Sequence, residues 1–170
     1  MQRAIDRRVA ITAIESQVIR VIDGDTIVVA LDHKPETIRL IGINTPETVA
    51  PNRPVQCFGP EASTYLKNLL ADRVVQLETD DSQDNRDKYN RFLRYVFLPN
   101  SLPLQAMPAG RHGGVRGGRD EIHINQLLVE QGYAREYTFN KKNPYNYQAE
   151  FRAAQKLAKK NKLGLWGTCK

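Results

Sequence analysis

The sequence predicts an α+β fold that is mainly β, a small antiparallel barrel of five strands with three helices on its flank. Two observations predict it. Strand-like runs come first in the chain with one amphipathic helix among them, and two further helices follow. Strands gathered ahead of helices argue against a doubly wound parallel sheet, in which the two alternate. The run TIVVAL at Thr26–Leu31 is also apolar on both faces, as in a closed barrel or a sandwich.

Taken in order, residues 1–16 are polar and mixed, a loose or edge-strand lead-in. Residues 17–22 alternate and read as a strand. Asp23 and Gly24 suit a hairpin turn, because Gly accepts positive φ and Asp tolerates it. That turn accounts for Asp23 but not for Asp25, which opens the next strand, Thr26–Leu31. Residues 32–36 make a second turn, and 37–43 a third strand. By period two, Arg39 shares a face with Ile41 and Ile43. The run Asn44-Thr45-Pro46-Glu47 has the chemistry of a helix start. Pro51 and Pro54 leave no room for that helix, so this run and residues 48–58 read as loop.

Residues 60–71 form a helix, with Ala62, Tyr65, Leu66, Leu69 and Leu70 on one stripe. Val74–Glu78 is a strand, 79–87 an acidic loop and 91–98 another strand. Residues 99–121 are rich in Gly, Pro and Arg without a period, which reads as a flexible insertion. Residues 123–131 are a short helix stopped by Gly132, and 133–139 are irregular. The last helix lies within 143–162, with Tyr147, Phe151, Ala154 and Ala158 inward, and Leu165 and Trp166 pack back after Gly164. A five-stranded barrel with flanking helices is the OB architecture. One domain over residues 1–170, with its core at about 17–167, fits this length.

The chain is basic, with a net charge of +6 and a pI near 9.4, which favours polyanionic partners. No apolar run is long enough to span a membrane. The two cysteines, Cys57 and Cys169, form no CxxC pair, and the three histidines are scattered, so a zinc site is not expected. The cysteines are either buried thiols or one bridge, and in an oxidising compartment the bridge is expected. No secretory signal is visible in the sequence, yet such a bridge would point to a secreted or cell-envelope protein.

Chemistry concentrates in residues 23–47, DGDTIVVALDHKPETIRLIGINTPE. Asp25, Asn44, Thr45 and Glu47 bring carboxylate, amide and hydroxyl oxygens to adjacent strand ends, a donor set for a hard cation. Arg39 among them suits a phosphate. The combination points to metal-assisted cleavage of a phosphodiester. The plainer readings are a structural Arg–carboxylate pair for Arg39 and a solvated turn for DKYNR at 87–91.

The motifs IDGDT, TIRLIGINTPET, FGPEAS, DKYNR and KLGLW, in that order across residues 20–166, resemble the staphylococcal-type nucleases. The stretch 99–121 stands as an insertion in that pattern. The resemblance implies an OB barrel and calcium-dependent hydrolysis of single-stranded DNA and RNA at the 5′ P–O bond, leaving 3′-phosphates. It implies metal ligation by Asp25, Asn44 and the Thr45 carbonyl, and a phosphate clamp of Arg39 and Arg91. It assigns Glu47 to the attacking water, and Lys88 and Tyr89 to a nucleotide phosphate. At position 44 the family pattern has an aspartate, so the asparagine here implies weaker calcium binding. A monomer is expected. The competing reading is a non-catalytic OB module that holds nucleic acid. Such a module would be expected to lack the arginines or Glu47, whereas Asp25, Arg39, Glu47 and Arg91 are all present.

Overall fold

Alternating and β-branched runs bounded by tight turns make the strands, as seen in a computed structural model that describes residues 14–48, 54–99 and 121–169. Most of the lead-in expected over 1–16, and all but the ends of the insertion expected over 99–121, lie outside the described residues. Strand β1 is Ile14–Asp23, β2 Thr26–Leu31 and β3 Lys34–Leu40. The short β4 is Ile43–Asn44, followed after a loop by helix α1, Gly59–Leu70. Strands β5, Val74–Glu78, and β6, Phe92–Pro99, come next. Strand β7, Glu121–His123, runs into α2, Ile124–Glu130. Strand β8, Arg135–Glu136, then α3, Gln148–Lys160, and the four-residue α4, Leu165–Thr168, complete the described chain.

The sheet order is β3-β2-β1-β5-β6, and β6 pairs back onto β3, which closes a five-stranded barrel. Its neighbours are antiparallel except at the closing seam, where β3 and β6 run parallel with Ile38, Arg39 and Leu40 opposite Phe92, Leu93 and Arg94. Strand β7 extends β6, and β4 pairs with β8 outside the barrel. Beyond the paired residues the seam is stitched by Asn125, which is fully buried. Its side-chain amide donates to the carbonyls of Ile41 (2.9 Å) and Arg94 (3.3 Å) and accepts the Val96 N–H at 2.9 Å. A buried amide so satisfied stabilises; stripped of its partners it would cost about 1–3 kcal/mol.

Ile27, Val29, Ile38, Leu40, Val75, Leu77 and Tyr95 fill the barrel core. Helix α1 covers it with Ala62, Leu66 and Leu70, while Tyr65 and Leu69 of the same stripe are half-buried. Burying each leucine is worth about 1.5–3 kcal/mol, so Leu66→Ala or Leu70→Ala would open this contact at a cost of about 2–5 kcal/mol. Helix α3 buries Phe151, Ala154 and Ala158.

Several boundaries differ from the sequence reading. The first turn is Gly24-Asp25, not Asp23-Gly24, because Asp23 still pairs with Thr26 in the ladder. Gly24 is needed there for close approach: a Cβ would meet Thr45 Cγ2 at 2.8 Å and Oγ1 at 2.9 Å. The second turn is only Asp32-His33, both at positive φ (49° and 61°), as a two-residue hairpin turn demands. The third strand stops at Leu40 rather than running to residue 43, because Gly42 adopts φ 78° and turns the chain. Arg39 therefore does not share a continuous strand face with Ile41 and Ile43. Residues 143–147 precede α3 rather than belonging to it, and His123 ends β7 rather than starting α2.

Candidate active site

Three backbone segments meet at one end of the barrel: the β1–β2 turn, the end of β3 with the turn after it, and the Asn44–Thr48 run. Asp25 is brought in by the first. It is only 5% exposed, and its carboxylate is held on both oxygens. Oδ1 accepts the Thr26 hydroxyl at 3.0 Å, and Oδ2 accepts the Thr45 N–H at 2.9 Å. The backbone carbonyl of Asp25 accepts the Leu40 N–H at 3.0 Å, which ties the turn to β3.

Arg39 comes from β3 and is the centre of the cluster. Its Nη2 lies 3.0 Å from Asp25 Oδ2 and donates to Asn44 Oδ1 at 3.1 Å. Its Nη1 donates to the carbonyls of Leu40 and Ile43, each at 2.9 Å. Three of the five N–H groups that a guanidinium carries thus donate hydrogen bonds, and Nη2 is paired with Asp25 as well. Asn44 is exposed and points its oxygen at this arginine, and Thr45 is buried beside Gly24.

Glu47 follows on the same segment, half-buried. Its backbone is clasped by Gln56: the Glu47 N–H donates to Gln56 Oε1 at 3.0 Å and the Gln56 N–H donates to the Glu47 carbonyl at 2.9 Å. The Thr48 N–H donates to Glu47 Oε1 at 3.0 Å. One residue on from Gln56, Cys57 is bridged to Cys169.

Arg91 immediately precedes β6, the strand that closes the seam with β3, where Arg39 lies opposite Leu93. It is held by Asp87, whose Oδ2 accepts Arg91 Nε at 2.7 Å and lies 2.6 Å from Nη2. Oδ1 of the same carboxylate accepts the backbone N–H groups of Tyr89 (2.9 Å) and Arg91 (3.0 Å). Burial works to raise the Asp87 carboxyl, but the bonds and charge of Arg91 and the Tyr89 N–H outweigh it and hold it below the ordinary range. Lys88 and Tyr89 are exposed, with Lys88 Nζ 4.9 Å and Arg91 Cζ 5.2 Å from the Tyr89 ring centre. Direct bonds thus gather Asp25, Arg39, Asn44 and Thr45. Arg91, Lys88 and Tyr89 form a second group joined to the first by the barrel seam. The neighbouring Arg94 is spent on structure, donating to Asn85 Oδ1 at 2.7 Å and to the Leu93 carbonyl at 2.6 Å.

A family model described as staphylococcal nuclease homologue matches residues 37–168. The chain belongs to the staphylococcal nuclease family. It is 40% identical over 150 residues to the thermonuclease of Staphylococcus hyicus, an alignment covering 88% of this chain and 74% of that protein. The thermonuclease of Staphylococcus intermedius is 38% identical over 147 residues, 86% of this chain and 73% of its own. The endonuclease YncB of Bacillus subtilis is 35% identical over 148 residues, 86% of this chain and 59% of its own. As a member of the staphylococcal nuclease family, the chain is a nuclease, a hydrolase with nucleic acid as its substrate.

Two carboxylates near these groups escape the sequence reading. Asp23 reads as a turn residue, but it ends β1 with its Oδ1 accepting the Asp25 N–H at 3.2 Å. Burial, and then the charge of Asp25, push its carboxyl up to about 6. Asp87 reads as part of a solvated turn, whereas it orients Arg91. The sequence signal for both is weak, an acid at short spacing from a motif residue.

The oxygens here suit a hard cation. Asp25 Oδ2 and Asn44 Oδ1 already converge on one positive centre, the Arg39 Nη2, at 3.0 and 3.1 Å. Carboxylate, amide and backbone carbonyl oxygens are the donors that calcium takes. The half-buried Asp23 carboxyl beside the buried Asp25 adds negative charge that a cation relieves.

Proposed function

We propose that this nuclease hydrolyses phosphodiester bonds of single-stranded DNA and RNA in a calcium-dependent reaction that leaves 3′-phosphates. The observation that carries the reading is the Arg39 guanidinium bonded at once to Asp25 and Asn44, which sets cation-binding oxygens and a phosphate-binding fork side by side. Asp25, Asn44 and the Thr45 carbonyl are the residues that would hold calcium. The chemistry calcium would supply is Lewis-acid neutralisation of charge on the non-bridging phosphate oxygens.

The protein's own groups do the rest. Arg39 exchanges its Nη2 acceptors for phosphate oxygens while Nη1 stays on the Leu40 and Ile43 carbonyls, so the fork keeps its direction. Arg91 donates to the same phosphate, held in orientation by Asp87. Both forks are positioned before charge builds, which is when donors are most effective. Glu47 accepts a proton from the attacking water or orients it, on a backbone fixed by Gln56. Lys88 and Tyr89 bind a flanking nucleotide phosphate.

The test is digestion of heat-denatured DNA and of RNA with calcium or with a chelator, using the native protein and the Arg39→Ala, Arg91→Ala and Glu47→Ala variants. Each variant is expected to lose about 10²–10³ in turnover while remaining folded. Near-native rates in all three would remove the assigned site, and full activity in chelator would remove the calcium dependence. Tight binding of single strands without cleavage would favour the non-catalytic module.

A further inference from the structure

The Arg39 guanidinium is aimed from two sides. Asp25 and Asn44 hold Nη2, and the Leu40 and Ile43 carbonyls hold Nη1. Those carbonyls flank Ile41-Gly42, so the direction of the fork depends on the shape of this turn. Gly42 sits at φ 78°, where side chains are strained. A Cβ there would meet Tyr145 Cε2 at 2.6 Å, Tyr145 Cζ at 2.7 Å and Phe151 Cε2 at 2.9 Å. The turn lies directly on an aromatic floor whose centre is Tyr145.

The polar contacts repeat the packing. The Gly42 carbonyl accepts the Tyr137 N–H at 2.9 Å and the Tyr145 hydroxyl at 3.3 Å. Glu136 Oε1, 3.1 Å from the same hydroxyl, is its second acceptor, and Glu136 pairs with Ile43 in the β4–β8 ladder. One hydroxyl proton therefore serves two acceptors on the same corner. Burial, and then the Glu136 charge, push the Tyr145 hydroxyl well above its usual range, so it stays a donor wherever the fold is stable. At 4% exposure Tyr145 touches no substrate, and any effect on chemistry passes through the turn.

We propose that Tyr145 is a positioning residue for phosphodiester hydrolysis: packed under Gly42 and bonded to the Gly42–Glu136 corner, it fixes the turn whose carbonyls aim Arg39. The proposal rests on Arg39 being a phosphate clamp. A misplacement of about 1 Å in such a group costs about 100-fold, and loss of one hydroxyl moves the turn by less.

The experiment compares four proteins: native, Tyr145→Phe, Arg39→Lys and the double variant. Phenylalanine keeps the ring on Gly42 and removes the hydroxyl. Tyr145→Phe is expected to lower kcat by about tenfold with little change in KM, because the misdirected donors are those aimed at charge that develops in the transition state. In the Arg39→Lys background the same change is expected to cost nothing further in kcat, since no planar fork remains to be aimed. The thermal midpoint is expected to fall equally in both backgrounds. An equal kcat loss in both backgrounds, or none in either, overturns the role of Tyr145 while leaving the clamp in place. Native-like activity of Arg39→Lys instead overturns the clamp itself. Calorimetric binding of a nucleoside 3′,5′-bisphosphate to the same four proteins gives the coupling when turnover of the double variant falls below detection.

Discussion

Replacing both cysteines by serine removes the Cys57–Cys169 bridge, which spans 112 residues of sequence. In the chain-entropy model, closing a loop of that size restricts the unfolded chain by about 16 cal/mol/K, or about 4.8 kcal/mol at 25 °C. Native bridges deliver about 2–5 kcal/mol when removed. In a chain of this length each kcal/mol moves the melting midpoint by about 2–4 °C, so the expected fall is about 4–20 °C. The consequence for catalysis is local. Cys57 follows Gln56, which holds the Glu47 backbone through the Glu47 N–H at 3.0 Å and the Glu47 carbonyl at 2.9 Å. Gln56 in turn accepts the Gly59 N–H at 3.0 Å, so the bridge anchors one side of the segment that presents Glu47. Turnover of Cys57→Ser/Cys169→Ser is expected to drop several-fold at a temperature well below both midpoints. The assays are thermal melts by circular dichroism and initial rates of the non-reduced proteins, after thiol titration of unreduced, denatured native protein. A midpoint shift under about 2 °C would refute the constraint on the unfolded chain. Unchanged turnover with the expected shift would sever the bridge from Glu47.

Asn44→Asp is expected to tighten calcium binding, because a second carboxylate joins the donor set and ligand charge is a main control on affinity. Titration calorimetry with a nucleoside bisphosphate present measures it, and equal affinities would take Asn44 out of the metal shell. Asp87→Ala should lower turnover by about tenfold and stability by about 1–2 kcal/mol, since it frees Arg91 and leaves two backbone N–H groups of its turn without their acceptor; unaltered kinetics would show that Arg91 needs no partner to hold its direction. Asp80 accepts the Tyr95 hydroxyl at 2.5 Å, the Asn146 N–H at 2.8 Å and both Ser82 donors. Burial works to raise its carboxyl, but these bonds prevail and hold it below the ordinary range. A depressed carboxyl stabilises fully above its unfolded value near 3.9 and loses that contribution as pH falls through the folded value. The stability gap between native protein and Asp80→Asn, read from urea midpoints, should therefore be constant above about pH 5 and shrink toward pH 2. A gap that stays the same at both ends would show that charge at Asp80 is irrelevant.

Where sequence and structure agree, local physics decides. Thr26–Leu31 and Val74–Glu78 are legible because β-branched runs stand between turn residues, and α1 because its stripe is regular. Asp25, Arg39, Asn44 and Thr45 are legible as a group because they lie within one short stretch. What is hidden depends on distant partners. The period-two pattern of Arg39–Ile43 runs straight through the turn at Gly42. That turn is read correctly only with the Tyr145 ring in place, 103 residues on. Asn125 looks like a polar face of a short helix, yet it is buried because it stitches the seam. Strands β7 and β8 are too short to carry a period. Asp23 looks like turn chemistry because its pairing with Thr26 at the end of β1 is not written in its neighbours.

The parallel β3–β6 seam is the last closure of the barrel in topological terms, because it joins strands separated by the whole β4–α1–β5 excursion. Arg39 and the segment after Arg91 meet only there. A chain emerging during synthesis holds Asp25, Arg39 and Asn44 before β6 is available to pair with β3. On the proposed reading, in which Arg39 and Arg91 clamp one phosphate, such a chain does not cleave until the seam shuts. Closing a contact across so many residues is slow relative to hairpin formation. Recovery of cleavage during refolding is thus a clock for barrel closure, running behind any signal that reports the β1–β2–β3 hairpins alone.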